Sequence, residues 1–273
     1  MSRARQKVVG VLGGMGPLAT ADFYTKLVRL TPARTDQDHL RVLIDSNPKI
    51  PDRTAALRGD GPDPTEALVA TAQGLERAGA DLIAIPCNSA HAYLDQIRRS
   101  VGIPVLDIME EVAAAAAALV PRPRAAGVLA TSGTMQARLY HRALASRGID
   151  VVEPAAAEQE RVTAAIRSVK AGDLGATVRE RVREVAAALI GRGAQVVVLG
   201  CTELPLVTDR QAISVPVLDG TEVLAVAAVR TALPSEAEEF PGSPERSTTL
   251  RSPGMAEVPG IPRAGSSKPA GRP

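Results

Sequence analysis

The sequence predicts an α/β protein of two similar domains, each a parallel sheet flanked by helices. Short runs of apolar, mostly β-branched residues alternate with longer stretches of helical periodicity along residues 7–233. Alternating strands and helices give parallel sheets joined by right-handed crossovers. The two cysteines of the chain, Cys87 and Cys201, each follow a run that is typical of a buried strand.

A repeated set of landmarks indicates that the two domains are copies of one unit. Three matching pairs occur in the same order at nearly constant spacing: residues 10–12 with 127–129, Cys87 with Cys201, and residues 104–107 with 216–219. We therefore expect domains at 1–108 and 109–217, with residues 218–233 packing back on the first. An approximate two-fold axis would place the cysteines face to face, in an active site at the inter-domain cleft.

Strands and helices are expected to alternate along the first domain. Pro17 suits the first position of a helix, where its missing N–H costs nothing, and Gly79 suits a helix end. The strands are predicted at residues 7–12, 40–45, 81–85 and 103–106, and the helices at 19–30, 65–78, 91–99 and 108–119.

The second domain is predicted to repeat this order. Its strands are expected at residues 125–130, 151–152, 195–199 and 215–218, and its helices at 136–146, 159–169, 176–190 and 222–233. Residues 234–273 are rich in proline, serine and glycine and contain almost no apolar clusters. Such a segment cannot bury enough apolar surface to offset its ordering entropy, so we predict a disordered tail.

Composition argues against several function classes. The 273 residues are 45% hydrophobic, and 32 basic residues nearly balance 30 acidic ones. We therefore expect a globular chain without a nucleic-acid or membrane partner. The longest apolar stretch, residues 112–120, is far shorter than the roughly 20 residues of a membrane span. Two cysteines in a chain of this size indicate a reducing, cytoplasmic compartment.

The matched cysteines are candidates for acid–base catalysis. A single cysteine at a strand end is more often a small core residue, but two at equivalent positions of a duplicated unit favour chemistry. A thiolate can take a proton from a substrate carbon while a thiol on the opposite face returns one, which inverts the stereocentre. We expect no metal, because the three histidines form no ligand-spaced pairs.

Two ionisable neighbours are candidates for tuning these thiols. His91 stands four residues after Cys87, one turn away in a helix, and either tunes the thiol or lies on a solvated helix face. Glu203 stands two residues after Cys201, where it could tune that thiol or favour a helix N-terminus by its charge. The residues alone do not choose between these interpretations.

A dinucleotide-binding turn is an alternative interpretation of the first glycines. Residues 14–19 fit the pattern G-x-G-x-x-A between a strand and a helix, and Asp45 ends the second strand as a ribose-binding acid would. Pro17 argues against it, since it lacks an N–H that a pyrophosphate would bond. A protein that binds NAD or another small molecule without turnover is therefore kept as a minor alternative.

Four motifs together resemble a known family. They are residues 10–20 (GVLGGMGPLAT), 47–54 (NPKIPDRT), 86–91 (PCNSAH) and 200–203 (GCTE). In this set and order they resemble the cofactor-independent aspartate racemases of the aspartate/glutamate racemase superfamily. The resemblance covers about residues 7–233. It implies a racemase of two α/β domains that uses no pyridoxal phosphate or other cofactor and usually forms a homodimer.

The resemblance also implies roles for individual residues. Cys87 and Cys201 would be the two acid–base residues. Arg53 would bind one carboxylate of a small dicarboxylic amino acid, and Lys170 the other. The residues implied to line the cleft are Met15, Asn88, Ser89, Ala90 and Thr202. Glutamate racemases have a histidine where this chain has Glu203, so the chain looks closer to the aspartate or broad-specificity branch.

Judged without the resemblance, some of these residues have simpler explanations. Arg53 lies in a proline-rich loop, where it could bind a carboxylate with two N–H groups or be a solvated charge. Lys170 lies at a helix end, where cations are common for capping. The hydroxyls of Thr131, Ser132 and Thr134 could bond a carboxylate or cap a helix.

These observations together predict an aspartate racemase that interconverts L- and D-aspartate through two cysteines. A broad-specificity or glutamate racemase of the same superfamily is the main alternative.

Overall fold

The computed structural model describes residues 6–233 of the chain. The segment predicted to be a disordered tail, residues 234–273, lies outside the described residues. Within the described part, no helix is both long enough and apolar enough to cross a membrane.

Two parallel sheets form the framework. The first has the strand order β2-β1-β3, with β1 Val9–Gly13, β2 Val42–Ser46 and β3 Leu82–Ala84. The second has the order β5-β4-β6-β7, with β4 Ala125–Ala130, β5 Asp150–Val152, β6 Val196–Gly200 and β7 Val217–Asp219. The prediction of an α/β fold with parallel sheets flanked by helices is confirmed.

The helices follow the strands in the alternating order that the sequence predicts. In the first half they are α1 Pro17–Leu30, α2 Arg53–Arg58, α3 Thr65–Arg77, α4 Leu94–Ser100 and α5 Ile108–Ala117. In the second half they are α6 Ser132–Gln136, α7 Leu139–Ala145, α8 Ala156–Lys170, α9 Ala176–Gly191 and α10 Gly220–Ala232. Helix α1 begins at Pro17, as predicted.

The repeated segments 104–107 and 216–219 occupy equivalent places in the two halves. The N–H of Ile83 donates to the carbonyl of Pro104 at 2.8 Å, and the N–H of Val197 donates to the carbonyl of Pro216 at 2.9 Å. The last residue of each segment is an aspartate whose side chain accepts hydrogen bonds from the first turn of the next helix, α5 or α10. The short repeat in the sequence therefore encodes the same strand pairing and helix cap twice.

A central hydrophobic cluster joins the two sheets. It combines side chains of β1, β3, β4 and β6 with those of α1, α5, α7 and α10. Successive strand residues point to opposite faces, so Val196 and Val198 enter this cluster while Val197 and Leu199 pack against α8 and α9. Helices α3 and α4 cover the other face of the first sheet. Helix α10 packs on α1 and α5; the domain boundaries 1–108 and 109–217 stay a prediction.

Some predicted elements are wrong in detail. Residues 103–106 form only an isolated bridge, Ile83 to Val105. The helix expected at 136–146 is two helices, α6 and α7, separated by Arg138 in the left-handed conformation with φ of 52°. A 3₁₀ turn, Ser89–Tyr93, replaces the start of the helix expected at 91–99. Helix α2 begins at Arg53, the last residue of the proline-rich loop, and was not predicted.

Candidate active site

Cys87 follows β3 in a tight turn. Its N–H donates to the carbonyl of Ile85 at 2.7 Å, and its thiol is free and only 4% exposed. Sγ lies 3.6 Å from Oγ of Ser89. The three residues that follow, Asn88, Ser89 and Ala90, are all buried. The predicted strand-end position of this cysteine therefore places the thiol in the interior beside a hydroxyl.

Cys201 follows β6 at the equivalent place and is also buried, with 5% exposure. Its thiol donates a hydrogen bond of 2.9 Å to Oε2 of Glu203. Burial, followed by the negative charge of Glu203, raises the pKa of Cys201 well above its usual value, and Lys170 offsets this only in part. The Cys201 thiol is therefore protonated at neutral pH.

Glu203 contacts the thiol directly. The hydroxyl of Thr202 also lies 3.4 Å from Oε2 of Glu203, and both residues are buried. The second oxygen, Oε1, is buried and has no hydrogen-bond partner among residues 6–233. Of the two interpretations from the sequence, direct contact with the thiol is the one that this geometry favours.

His91 holds the backbone around Cys87. Its Nδ1 donates to the carbonyl of Cys87 at 2.9 Å, and its Nε2 accepts from the N–H of Ile108 at 3.2 Å. Burial lowers the pKa of His91 below its usual value, with Asp107 acting in the opposite direction. A neutral ring with both nitrogens bonded to backbone groups links the Cys87 turn to the start of α5.

Tyr140 connects the two cysteine loops, a role that the sequence does not reveal. Its hydroxyl donates a hydrogen bond of 2.6 Å to Oδ1 of Asn88, the residue after Cys87. Its ring lies against Gly200, the residue before Cys201, where an added Cβ would be only 2.7 Å from Cε2. Burial raises the pKa of Tyr140, so the hydroxyl stays a donor. Tyrosine in a helix carries no sequence signal for such a bridge.

Arg53 is a structured, buried residue. It is the first residue of α2, whose start is capped by Asp52, and it is only 6% exposed. Its guanidinium donates to the carbonyls of Ile50 at 3.1 Å and Pro51 at 2.8 Å. Nε of Arg53 has no hydrogen-bond partner within the described residues. The simpler explanation, a solvated loop charge, is therefore wrong.

A cavity of about 500 Å³ joins the residues expected to bind substrate. Its wall includes Met15, Arg53, Lys170 and Glu203, together with the glycine-rich turn of residues 14–19. Arg53 and the turn come from the first half of the chain, whereas Lys170 and Glu203 come from the second. The cavity therefore lies between the two copies of the repeated unit.

Lys170 places a positive charge near both thiols. It is the last residue of α8, and its side chain as a whole is exposed although its ammonium end is partly surrounded by protein. Burial of its ammonium acts to lower the pKa of Lys170, but Glu203 and then the two cysteines outweigh this and raise it. Lys170 is therefore close enough to both cysteines for its charge to act on each of them.

The hydroxyl side chains of residues 131–134 cap a helix and line a second cavity. Oγ1 of Thr131 accepts from the N–H of Thr134 at 3.2 Å and lies 3.0 Å from the Thr134 hydroxyl, so these two groups cap α6. Thr131 and Ser132 also line a second cavity of about 270 Å³, whose wall shares Lys170 with the first. Helix capping therefore accounts for the hydroxyls of Thr131 and Thr134, although Thr131, like Ser132, also lines the second cavity.

The described residues contain no group of three or more His, Cys, Asp or Glu side chains that could hold a metal ion.

Residues 12–228 match the sequence model of the Asp/Glu/hydantoin racemase family. The chain belongs to this family. It is therefore an amino-acid racemase, an isomerase, of the aspartate/glutamate racemase superfamily.

Individual relatives agree with this membership. A broad-specificity amino-acid racemase of Bacillus subtilis (strain 168) is 30% identical over 235 residues, which are 83% of this chain and 98% of that protein. The aspartate racemase of Picrophilus torridus superposes with a TM-score of 0.75 at 30% identity, covering 83% of this chain and 94% of that one. A glutamate racemase from Francisella tularensis, at 18% identity and a TM-score of 0.61 over 85% of this chain and 84% of that one, shows the shared fold.

Proposed function

We propose that this racemase interconverts L- and D-aspartate without a cofactor, with Cys87 and Cys201 as its two acid–base residues. The observation that carries the proposal is the pair of buried thiols at equivalent strand ends. Tyr140 connects the two loops that contain them, and the charge of Lys170 acts on both. A two-base racemase needs one proton acceptor and one proton donor on opposite faces of the same carbon.

The surroundings of the two thiols suggest which one starts with the proton. Cys201 donates its hydrogen to Glu203 and is protonated at rest. In the proposed reaction the thiolate of Cys87 takes the Cα proton of one enantiomer, and the thiol of Cys201 delivers its proton to the opposite face. The reverse reaction begins with the protons exchanged. Because both thiols are buried, we expect the cleft to open when substrate enters.

Two cations in the cavity support a dicarboxylic substrate. Arg53, held by backbone carbonyls, would bind one carboxylate, and Lys170 would bind the other. Thr131 and Ser132, which line the adjoining cavity beside Lys170, would bond the same carboxylate. Aspartate is the smallest common amino acid with two carboxylates. The similarity to a broad-specificity racemase favours a wider substrate range as the second candidate.

Proton exchange tests the proposal. We expect L- and D-aspartate, each incubated with the protein in D₂O, to gain deuterium at Cα while optical rotation decays. Cys87→Ser and Cys201→Ser should each abolish racemisation, and either can retain exchange with a single enantiomer. If both single variants still racemise aspartate, the two-cysteine scheme is wrong. A panel of other amino acids in the same assay separates an aspartate racemase from a broad-specificity one.

The homodimer and the cytoplasmic location stay predictions. Light scattering of the purified chain would test the first.

A further inference from the structure

The carboxylate of Glu203 is buried, and only one of its two oxygens accepts hydrogen bonds. The side chain is 3% exposed, and Oε2 receives the hydrogen bonds of Cys201 and Thr202. Oε1 is also buried, without a hydrogen-bond partner among residues 6–233. A buried carboxylate oxygen left without a donor costs free energy unless a ligand supplies one. An unused acceptor at the wall of the cavity therefore points to a donor on the ligand.

Gly16 lies close to this oxygen. Gly16 and Glu203 both line the same cavity. A Cβ added to Gly16 would lie 3.1 Å from Oε1, which is tighter than an ordinary contact. A side chain at residue 16 would therefore press against this oxygen. Because the oxygen is already buried, the proposed opening of the cleft is what brings a ligand to it.

The charges of the cavity indicate which donor fits. The ionisable side chains in its wall are Arg53, Lys170, Asp52 and Glu203. Asp52 is exposed, and its carboxylate accepts the N–H of Ala55 to cap α2. If the two cations bind the two carboxylates of the substrate, Glu203 is the remaining charge inside. The remaining charge on a dicarboxylic amino acid is its ammonium group.

The position of Glu203 agrees with the position of that group. The Cα of a racemase substrate must lie next to Sγ of Cys201, and the ammonium nitrogen is one bond from Cα. Oε2 is 2.9 Å from the same Sγ, and Oε1 belongs to the same carboxylate. We propose that Oε1 of Glu203 binds the ammonium group of the substrate and so selects amino acids over the corresponding dicarboxylic acids. This rests on the proposed function.

The test compares ligands that differ only in the ammonium group. Succinate has the two carboxylates of aspartate without its ammonium. Binding of L-aspartate and succinate is measured by calorimetry in a full-length Cys87→Ala background, which cannot racemise and keeps the bond between Cys201 and Glu203. We expect Glu203→Gln to weaken L-aspartate binding by about tenfold to a hundredfold, the range for a hydrogen bond between charged groups. Succinate affinity should change by less than about threefold, which also shows that the cavity is intact.

Two further variants complete the design. Gly16→Ala places a methyl group against Oε1 and keeps the charge, so it should weaken the binding of L-aspartate and leave that of succinate unchanged. It also decides the question if Glu203→Gln does not fold. Glu66→Gln removes an exposed carboxylate from the first turn of α3 and should change the affinity for neither L-aspartate nor succinate.

The results distinguish a failure of the ammonium site from a failure of the proposed racemase function. Suppose that the Cys87→Ala protein binds L-aspartate. If Glu203→Gln then lowers the affinity for L-aspartate and succinate equally, or lowers neither affinity, the ammonium site is refuted while the racemase proposal stands. If the wild-type protein neither binds nor racemises aspartate, the proposed substrate itself is wrong.

Discussion

The hydroxyl of Tyr140 offers a direct test of how the two cysteine loops are held together. It donates a hydrogen bond of 2.6 Å to Oδ1 of Asn88, and both side chains are buried. Tyr140→Phe removes this donor and keeps the ring. A buried acceptor left unsatisfied costs about 1–3 kcal/mol. We expect the free energy of unfolding to fall by that amount, and Tm to fall by about 2–4 °C for each kcal/mol.

The assay is urea unfolding followed by circular dichroism, with kcat measured on the same samples. Because Asn88 directly follows Cys87, a less constrained Asn88 should also lower kcat. Tyr24→Phe is the matched control: Tyr24 is 43% exposed on α1, and its change should stay within about 0.5 kcal/mol. If Tyr140→Phe shows wild-type stability and wild-type kcat, this hydrogen bond does not hold the two cysteine loops together.

Two further predictions concern packing and pH. At Gly133 an added Cβ would lie 2.9 Å from Cα of Thr54, so Gly133→Ala should force α6 from α2 and cost about 1–3 kcal/mol in urea unfolding. Gly74→Ala, in α3 with nothing within 4 Å of the added Cβ, should stabilise by about 0.5–1 kcal/mol. Burial lowers the pKa of His91, so the unfolded chain takes up this proton first as the pH falls. Stability should decrease as the pH falls below about 6.5, and His91→Gln should flatten that decrease; an unchanged slope would contradict it.

Much of the fold follows from local features of the sequence. Continuous runs of apolar, mostly β-branched residues mark the strands, and Pro17 marks the start of α1. The repeated segments 104–107 and 216–219 carry the same strand contact and the same aspartate cap. Such signals are legible because each depends on residues that are near one another in the chain.

Other elements depend on contacts that a local pattern does not contain. The apolar spacing of residues 136–146 is compatible with one continuous helix, but the chain turns at Arg138 with φ of 52°. The turn lets α6 pack against α2, where Gly133 meets Thr54. Helix α2 has only six residues, too few for periodicity to distinguish from a loop.

The candidate site likewise has features that the sequence predicts and features that it does not. Its two thiols were predictable because they recur at matched positions of a duplicated unit, and the resemblance to the aspartate racemases drew attention to Arg53 and Lys170. The burial of Arg53 was not predictable, because its partners are backbone carbonyls, which every residue has and which therefore leave no pattern in the sequence. The role of Tyr140 was likewise hidden, because its partners are Asn88, 52 residues earlier, and Gly200.

By itself, the sequence determined the α/β class, the duplicated unit, and the residue types that carry the chemistry, since these follow from periodicity, repetition and short motifs. Only the tertiary structure decided how Tyr140 joins the cysteine loops, how Glu203 shares its carboxylate, and which oxygen is left unpaired. The physical reason is that hydrogen bonding and burial are set by groups that folding brings together from distant parts of the chain.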